Sequence, residues 1–352
     1  MKLQIFSYKL QFIKPATTSR GSMDFHQVYY IQISDGVKTG IGEAAPLKGL
    51  STDYNTVKDG LKILKEHYND GVPILDIPLD DFPSVKFAFE TALNDYTHGG
   101  KHIIYDTAFT SSNKPIETNG LVWMTDSKTM LDEALKKVEQ GFTTIKFKVG
   151  SLDFDEECRM IEQLRKYYNS WKITIRLDAN GAFANTEAIE KLKELKRFDI
   201  HSIEQPIKAG QWDLMEELVS KTPIDIALDE ELIGIKVYNS GELMLKKIKP
   251  HYIILKPTLL GGFNISDHWV KLAEKYCKGW WATSALESNI GLNAIAQWAS
   301  KYKNPIPQGL GTGLLYTNNL LSPLQLQDGH LSYNPSGKWA DLETLEAIEK
   351  EA

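Results

Sequence analysis

Apolar residues change their spacing partway along the chain. Over the first 45 or so residues they sit among polar ones in short extended stretches, which predicts three strands at about 2–12, 26–34 and 37–44. Ser34-Asp35-Gly36 joins the second to the third as a hairpin turn. Between the first two, residues 14–22 are polar and contain Pro15 and Gly21, which predicts a loop. Its functional reading is a lid over a site, with Arg20 able to meet a carboxylate. A helix is predicted at about 52–67, with Val57, Leu61, Ile63 and Leu64 as its apolar positions. A Pro-rich bridge over 72–78 leads to a second helix at about 83–98. Strands followed by helices suggest a small α+β unit.

From about residue 118 short apolar runs alternate with amphipathic helices. The runs are Leu121–Met124, Thr143–Val149, Ile173–Leu177, Ile200–Ile203, Ile224–Leu228, Tyr252–Leu255, Trp280–Thr283 and Pro305–Gln308. Ser127 is placed to cap a helix whose stripe is Met130, Leu131, Ala134, Leu135 and Val138, ended by Gly141. Thr186 is placed to cap another, and a third follows Asn289. Eight β–α alternations predict a TIM-type (β/α) barrel. An open doubly wound sheet would carry a Gly-x-Gly-x-x-Gly after an early strand, and none follows 121–124 or 143–149. The expected organisation is an α+β capping domain over 1–100, a barrel over 101–323, and a tail over 324–352 packing back on the cap.

Composition narrows the function classes. The chain has 352 residues, 42% of them apolar, enough for a large core. A net charge of −6 speaks against nucleic-acid binding. No apolar run reaches the length of a membrane helix, and the N-terminal residues show no apolar signal core, so a cytoplasmic protein acting on a small molecule is expected. Cys158 and Cys277 have no Cys or His partner at metal spacing and read as packed thiols.

The chemistry lies at the ends of the apolar runs, where a barrel places its active site. Lys146 and Lys148 alternate with Phe147, so they share one face at the end of the second barrel strand. Asp178, Glu204 and Asp229 end the third, fourth and fifth, and Lys256 ends the sixth. Strands two and six face each other across an eight-stranded ring. One acidic residue after a strand is ordinarily structural. Three on consecutive strands, flanked by lysines, point to a hard divalent cation, Mg²⁺ or else Mn²⁺. Asn180 and Glu230 would support these ligands from behind. A lysine serves as general base only if its pKa falls well below about 10.4, and a neighbouring lysine supplies the repulsion.

Taken together, Lys146-Phe-Lys148, Leu-Asp178-Ala-Asn, Ile-Glu204-Gln-Pro, Leu-Asp229-Glu and Leu-Lys256-Pro resemble the muconate-lactonizing-enzyme subgroup of the enolase superfamily. The stretch from Ser84 to Asp95 is similar to the helix leading into the barrel in that family. The superfamily abstracts a proton beside a carboxylate with a Lys or His base and Mg²⁺, through an enediolate. Within the subgroup, Thr283–Gly291 and Gly309–Asn318 resemble the strand-seven and strand-eight segments of the o-succinylbenzoate synthase family, dehydratases of menaquinone biosynthesis. By that resemblance Lys148 takes the α-proton and returns one to the departing hydroxyl. Lys256 adds positive charge on the opposite face, and Lys146 stands beside the base. Gly262, Ser284 and Glu287 are implied near the succinyl group and ring, with Gly311 and Thr312 from the strand-eight segment. The strand-seven run ends in Thr283-Ser284 instead of a His base. Gly311-Thr-Gly313 stands where dipeptide epimerases carry Asp-x-Asp. N-succinylamino acid racemase is the nearest alternative. A non-catalytic binding protein would have lost a ligand or a lysine, and every one is present.

Overall fold

The computed structural model describes residues 1–18, 21–345 and 348–351. The chain opens with β1 (Lys2–Thr18), β2 (Gly21–Ser34) and β3 (Thr39–Ala44), followed by α1 (Val57–Asn69) and α2 (Pro83–Thr97). A short α3 (Ala108–Ser111) and β4 (Ile116–Glu117) lead into the repeat. The repeat runs β5 (Gly120–Val122), α4 (Ser127–Glu139), β6 (Thr144–Lys148), α5 (Phe154–Tyr167), β7 (Thr174–Asp178), α6 (Ala188–Leu195) and β8 (Ser202–Glu204). It continues through α7 (Trp212–Lys221), β9 (Asp225–Leu228), α8 (Glu242–Ile248), β10 (Tyr252–Leu255), α9 (Pro257–Leu260), α10 (Phe263–Tyr276), β11 (Gly279–Ala282) and α11 (Asn289–Ala299). The strands β12 (Leu324–Gln327), β13 (His330–Tyr333) and β14 (Glu349–Lys350) complete the chain.

Strands β5 to β11 form one parallel sheet in sequence order. The expected eighth run makes no strand of its own but closes the ring. Gln308 pairs in parallel with Thr118 and Gly309 with Thr283, so residues 308–309 join the two edges. Prolines 305 and 307 explain the reduction, since each removes a ladder donor. Helix α4 is capped by Asp126, whose side chain accepts from the Thr129 N–H, and not by the expected Ser127. Helix α6 starts at Ala188 with no side-chain cap from Thr186.

Side-chain alternation makes the N-terminal sheet two-faced. In β1, Leu3 and Ile5 join Tyr29, Ile31 and Ile33 of β2 against α1 and α2. Phe6, Tyr8, Leu10 and Phe12 join Val28 and Tyr30 on the other face, where they meet Leu286, Ile290 and Tyr316 of the barrel. The sheet therefore covers the barrel with one face and its own helices with the other. Its close approach to α2 needs glycine: a Cβ on Gly42 would lie 1.9 Å from the Ala88 carbonyl oxygen.

Two expectations are corrected here. Residues 14–18 are not loop but the end of β1, paired with Gly21–Met23 of β2 after a register shift between Gln11 and Ala16. Pro15 lies within the shift, where the ladder is already interrupted, so the polar, Pro-containing sequence is compatible with a strand. Arg20 lies outside the described residues. The tail divides instead of returning as one piece: β12 pairs with β13 and β13 with β4, Leu342 packs under the N-terminal sheet, and only β14 pairs with β1.

Polar bonds also fasten the sheet to the barrel. The Glu43 carboxylate, on β3, accepts from the Ser288 N–H (2.7 Å), the Ser288 hydroxyl (2.6 Å) and the Gly291 N–H (2.8 Å), capping α11 from outside. Glu90 of α2 accepts from the Phe263 N–H at 2.6 Å, at the start of α10. The buried His26 ring lies with Nδ1 3.0 Å from the Leu286 carbonyl and Nε2 3.1 Å from that of Pro46.

Burial pushes the Glu43 carboxyl up to about 7 from the ordinary 4.5, against its three donors. Between those values the folded protein keeps a proton that the unfolded chain releases. Its favourable contribution is therefore complete below pH 4.5 and lost as pH rises through about 7, a change of up to about 3 kcal/mol. Glu43→Gln removes this titration. Urea unfolding followed from pH 5 to 7.5 should show stability falling more steeply in the wild type than in the variant, and equal slopes would contradict the assignment.

Candidate active site

The end of β6 delivers Lys146 and Lys148 to the mouth of the barrel, with Phe147 turned into the surrounding core. The register of the parallel sheet places Lys148 beside Asp178 and Asp178 beside Glu204. Asp229 follows β9 directly and Lys256 follows β10. All six side chains are buried.

Each carboxylate meets a lysine. Lys146 lies 2.8 Å from Asp178 and also bonds Glu204. Lys148 lies 2.5 Å from Asp178 and donates to the Asn180 side-chain oxygen at 3.0 Å. Lys256 bonds Asp229. Asn180 adopts a left-handed backbone (φ 46°), and its side-chain NH₂ donates to Glu230 at 2.9 Å. Asn180 thus links Lys148 to Glu230 by two hydrogen bonds.

The three lysines are not equivalent. Burial works against the charge on Lys146, but Asp178 and Glu204 more than offset it and raise its pKa. Burial dominates at Lys148 and lowers its pKa. Lys146 and Lys256 push the same way, while Asp178 and Glu204 oppose them. Lys256 is raised, because Asp229 and Glu204 outweigh its burial. Among the carboxylates, burial and then the Asp178 charge hold Glu204 well above the ordinary value. Asp178 falls well below it because Lys146 and Lys148 overcome the effect of burial.

A cavity of about 330 Å³ lies above these lysines. Lys146, Lys148 and Lys256 form part of its floor, with Asn119, Leu121 and Trp123 beside them. Ser284, Leu286, Gly311 and Thr312 line another side. Thr18, Ser22 and Met23 come over from the β1–β2 arm, and Leu47, Lys48 and Leu50 from the segment after β3. Four lysines and no Asp or Glu are among the described lining residues, which suits a ligand with more than one carboxylate. The Thr312 hydroxyl is buried and has no hydrogen-bond partner among the described residues.

Of the residues expected near the substrate, Ser284, Gly311 and Thr312 line this cavity, and Gly262 and Glu287 do not. Glu287 is fully buried, accepting from the Ser284 hydroxyl (2.5 Å), the Ala285 N–H (2.8 Å) and the Thr258 hydroxyl (2.5 Å), so it braces the turn after β11. Gly262 sits at the start of α10, where a Cβ would meet the Glu90 carboxylate at 2.1 Å. Trp281 is buried inside the barrel, where the Arg176 guanidinium lies over its ring at 4.1 Å. The sequence reading missed Asn119, Leu121 and Trp123. Trp123 directly follows the first barrel strand and Leu121 lies within it, while Asn119 precedes it. Also missed was the Leu47–Leu50 segment, which no local pattern marks, whereas Thr18 and Ser22 belong to the 14–22 stretch already singled out.

The fit of a divalent cation follows from the donors. Asp178, Glu204 and Asp229 offer hard oxygens on consecutive strands, and Glu204 Oε1 is buried without a hydrogen-bond partner among the described residues. Their mutual repulsion, visible in the raised Glu204, is what a cation relieves. Their other oxygens are turned to the lysines, and among the described residues no three Asp, Glu, His or Cys side chains already converge as an ion would hold them. The donor chemistry fits the cation, and the lysine contacts have to rearrange to admit it.

Residues 129–336 match the Enolase C-terminal domain-like family. The chain belongs to the enolase superfamily. It is 39% identical to the o-succinylbenzoate synthase of Desulfotalea psychrophila, over 94% of this chain and 98% of that protein. The crystal structure of MenC from the same organism superposes with a TM-score of 0.80 at 36% identity, covering 94% of this chain and 99% of that one. This places the chain in the o-succinylbenzoate synthase family of hydro-lyases. The o-succinylbenzoate synthase of Thermosynechococcus elongatus, solved with Mg in its active site, shares the fold. Its TM-score is 0.70 at 22% identity, covering 88% of this chain and 92% of that one. Among the described residues no helix is long and apolar enough to cross a membrane.

Asn180 orients Lys148, so its loss should slow turnover without unfolding the enzyme. Asn180→Gly keeps the left-handed backbone accessible and removes only the amide. We expect kcat to fall about tenfold with KM little changed, measured by steady-state kinetics. An unchanged kcat would show that Asp178 alone positions the lysine.

Proposed function

We propose that this enzyme dehydrates 2-succinyl-6-hydroxy-2,4-cyclohexadiene-1-carboxylate to 2-succinylbenzoate, a step of menaquinone biosynthesis in the cytoplasm. The observation that carries the reading is the lysine pair. Lys148, held below the ordinary lysine value, and Lys256, held above it, belong to opposite strands of the ring and line one cavity. Asp178, Glu204 and Asp229 are the residues proposed to hold Mg²⁺, with Mn²⁺ as the other cation this oxygen set accepts. Bound there, the cation would supply positive charge to the substrate carboxylate as negative charge grows on it.

The chain's own groups account for the proton movements. Neutral Lys148 takes the proton from the carbon bearing the ring carboxylate, and the C–H electrons pass to that carboxylate. The ammonium of Lys256, on the opposite side, offsets the new negative charge. Lys146, held protonated between Asp178 and Glu204, repels a charge on Lys148 and so favours its neutral form before the transfer. The electron pair returns to form the ring double bond as the C6–O bond breaks. Lys148 gives its proton to the departing oxygen, water leaves, and Lys148 is neutral again. One residue serves as base and then as acid, so proton and leaving group depart from one face. For the succinyl end, Ser284, Gly311 and Thr312 provide wall, and Lys48 provides a positive charge at the rim. Arg20 is the proposed partner for the second carboxylate, with Lys48 as a further positive charge.

The purified protein should dehydrate the cyclohexadiene substrate only with added divalent cation after EDTA treatment, as followed by absorbance of the aromatic product. Full activity without metal would remove the proposed ligand set. Racemisation of N-succinylamino acids, which needs a base on each face, should run at least about tenfold lower in kcat/KM, a difference of about 1.4 kcal/mol. Equal efficiencies would favour the racemase reading instead. Lys148→Ala should lower kcat by about 10³-fold and abolish α-proton exchange with solvent deuterium. Rapid exchange in that variant would give the base to another residue.

A further inference from the structure

A second space, a groove open to solvent at the exposed Ile13 and Leu314, adjoins the cavity above the lysines. It measures about 260 Å³, and Leu121 and Trp123 line both. Leu121 lies in β5 and Trp123 directly follows it, and since both line both spaces they stand between the two. Ile13 and Lys14 of β1, with Leu314 and Leu315, form another side of the groove. That side is fixed by the Ile13 N–H, which donates to the Leu315 carbonyl at 2.9 Å. Trp123 is half-buried and packs against the cluster containing Phe12 and Tyr316, so its indole is held in the wall.

The groove also has a charge of its own. Helix α4 supplies Glu133, Lys136 and Lys137. Lys14 pairs with Glu133 at 2.8 Å. Among the described residues, Lys136 and Lys137 have no carboxylate within ion-pair distance. Lys137 is drawn partly into the protein, with its Nζ 5.4 Å from the Phe142 ring centre, and burial lowers its pKa. The space behind the wall is thus apolar where it touches Leu121 and Trp123, and carries two uncompensated lysines.

We infer that Trp123 is a specificity-determining partition. In place, it confines a succinylated carboxylate to the cavity over Lys148. Removed, it joins the two spaces and admits an N-succinylamino acid whose side chain is long and anionic. The inference rests on the reading of the first cavity as the site for a succinylated carboxylate. A compact ring fills that cavity without a side chamber, whereas an amino-acid side chain needs one. The lysines behind the wall would favour Glu over an apolar side chain of similar length.

The test is calorimetric binding to the Mg²⁺-loaded enzyme of N-succinyl-L-glutamate, N-succinyl-L-leucine and N-succinylglycine. Trp123→Ala should tighten N-succinyl-L-glutamate relative to N-succinylglycine by at least about tenfold over the wild type, with a smaller gain for the leucine ligand. Trp123→Leu, a milder truncation, should show part of the gain and decides the question if the alanine variant does not fold. Trp123→Phe, which refills the wall, should show none. Adding Lys136→Ala and Lys137→Ala to Trp123→Ala should cancel the glutamate preference. An unchanged ratio in a folded Ala or Leu variant, or no measurable binding of N-succinyl-L-glutamate by either, would overturn the inference. Dehydration by the wild type is assayed alongside. Its absence would remove the proposed reaction, whereas the binding ratios speak only to the wall.

Discussion

Three lysines and three carboxyl groups share a buried site at one end of the barrel, and neither set is tolerable without the other. An isolated buried ion costs several kcal/mol even after relaxation, so the lysines require the carboxylates as much as the reverse. Only a closed parallel ring brings the ends of β6 to β10 near enough for this compensation. The compensation is uneven. Lys146 is shared between two carboxylates, while Lys148 has one carboxylate and an amide. That asymmetry leaves Lys148 as the lysine whose proton is least tightly held, so the charge pattern that stabilises the site also selects one residue in it.

A floor of this kind acts only under a fixed roof. The N-terminal sheet is tied to the barrel by carboxylates that cap two of its helices, and by His26, whose ring spans the carbonyls of Pro46 and Leu286. Leu286 holds a left-handed backbone (φ 67°), a cost of about 1–2 kcal/mol for such a residue. The Tyr316 hydroxyl donates to the same carbonyl at 2.5 Å. The Tyr316 hydroxyl on that carbonyl and the His26 ring beside it keep the turn after β11 in this conformation, and that turn presents Ser284 and Leu286 to the cavity. Glu287, read from the sequence as a substrate contact, is spent on the same task from below.

The barrel was legible because its strands are short apolar runs and its chemistry sits one residue past them. The clustering of Lys146, Lys148, Asp178, Glu204, Asp229 and Lys256 follows from strand order alone. What could not be read locally depends on partners distant in sequence. Residues 14–18 look like loop because Pro15, Thr17 and Thr18 lack an apolar rhythm. They are strand because Gly21–Met23 offers a ladder beside a register shift. The closing strand is only residues 308 and 309, since its neighbouring prolines leave little backbone to pair. Ser127 lost the cap to Asp126 by one position, Asp126 being the extended residue whose side chain reaches the Thr129 N–H. Glu287 and Gly262 occupy the expected segments. Which way they face was decided by Thr258 and Glu90, residues well removed in the chain.

The pairing of β14 with β1 has a temporal consequence. Phe6 opposes Lys350, and the Glu351 N–H donates to the Ile5 carbonyl at 2.9 Å, so the edge of the N-terminal sheet is completed by residues nearly a full chain length away. During synthesis the first three strands emerge with that edge bare, and the barrel surface that their other face must cover does not yet exist. The nascent sheet therefore waits, with an apolar face and an unpaired edge, while some three hundred residues are added. A protein built this way trades rapid local assembly for a late closing step of high contact order, and its most exposed interval is the one before its last strand is made.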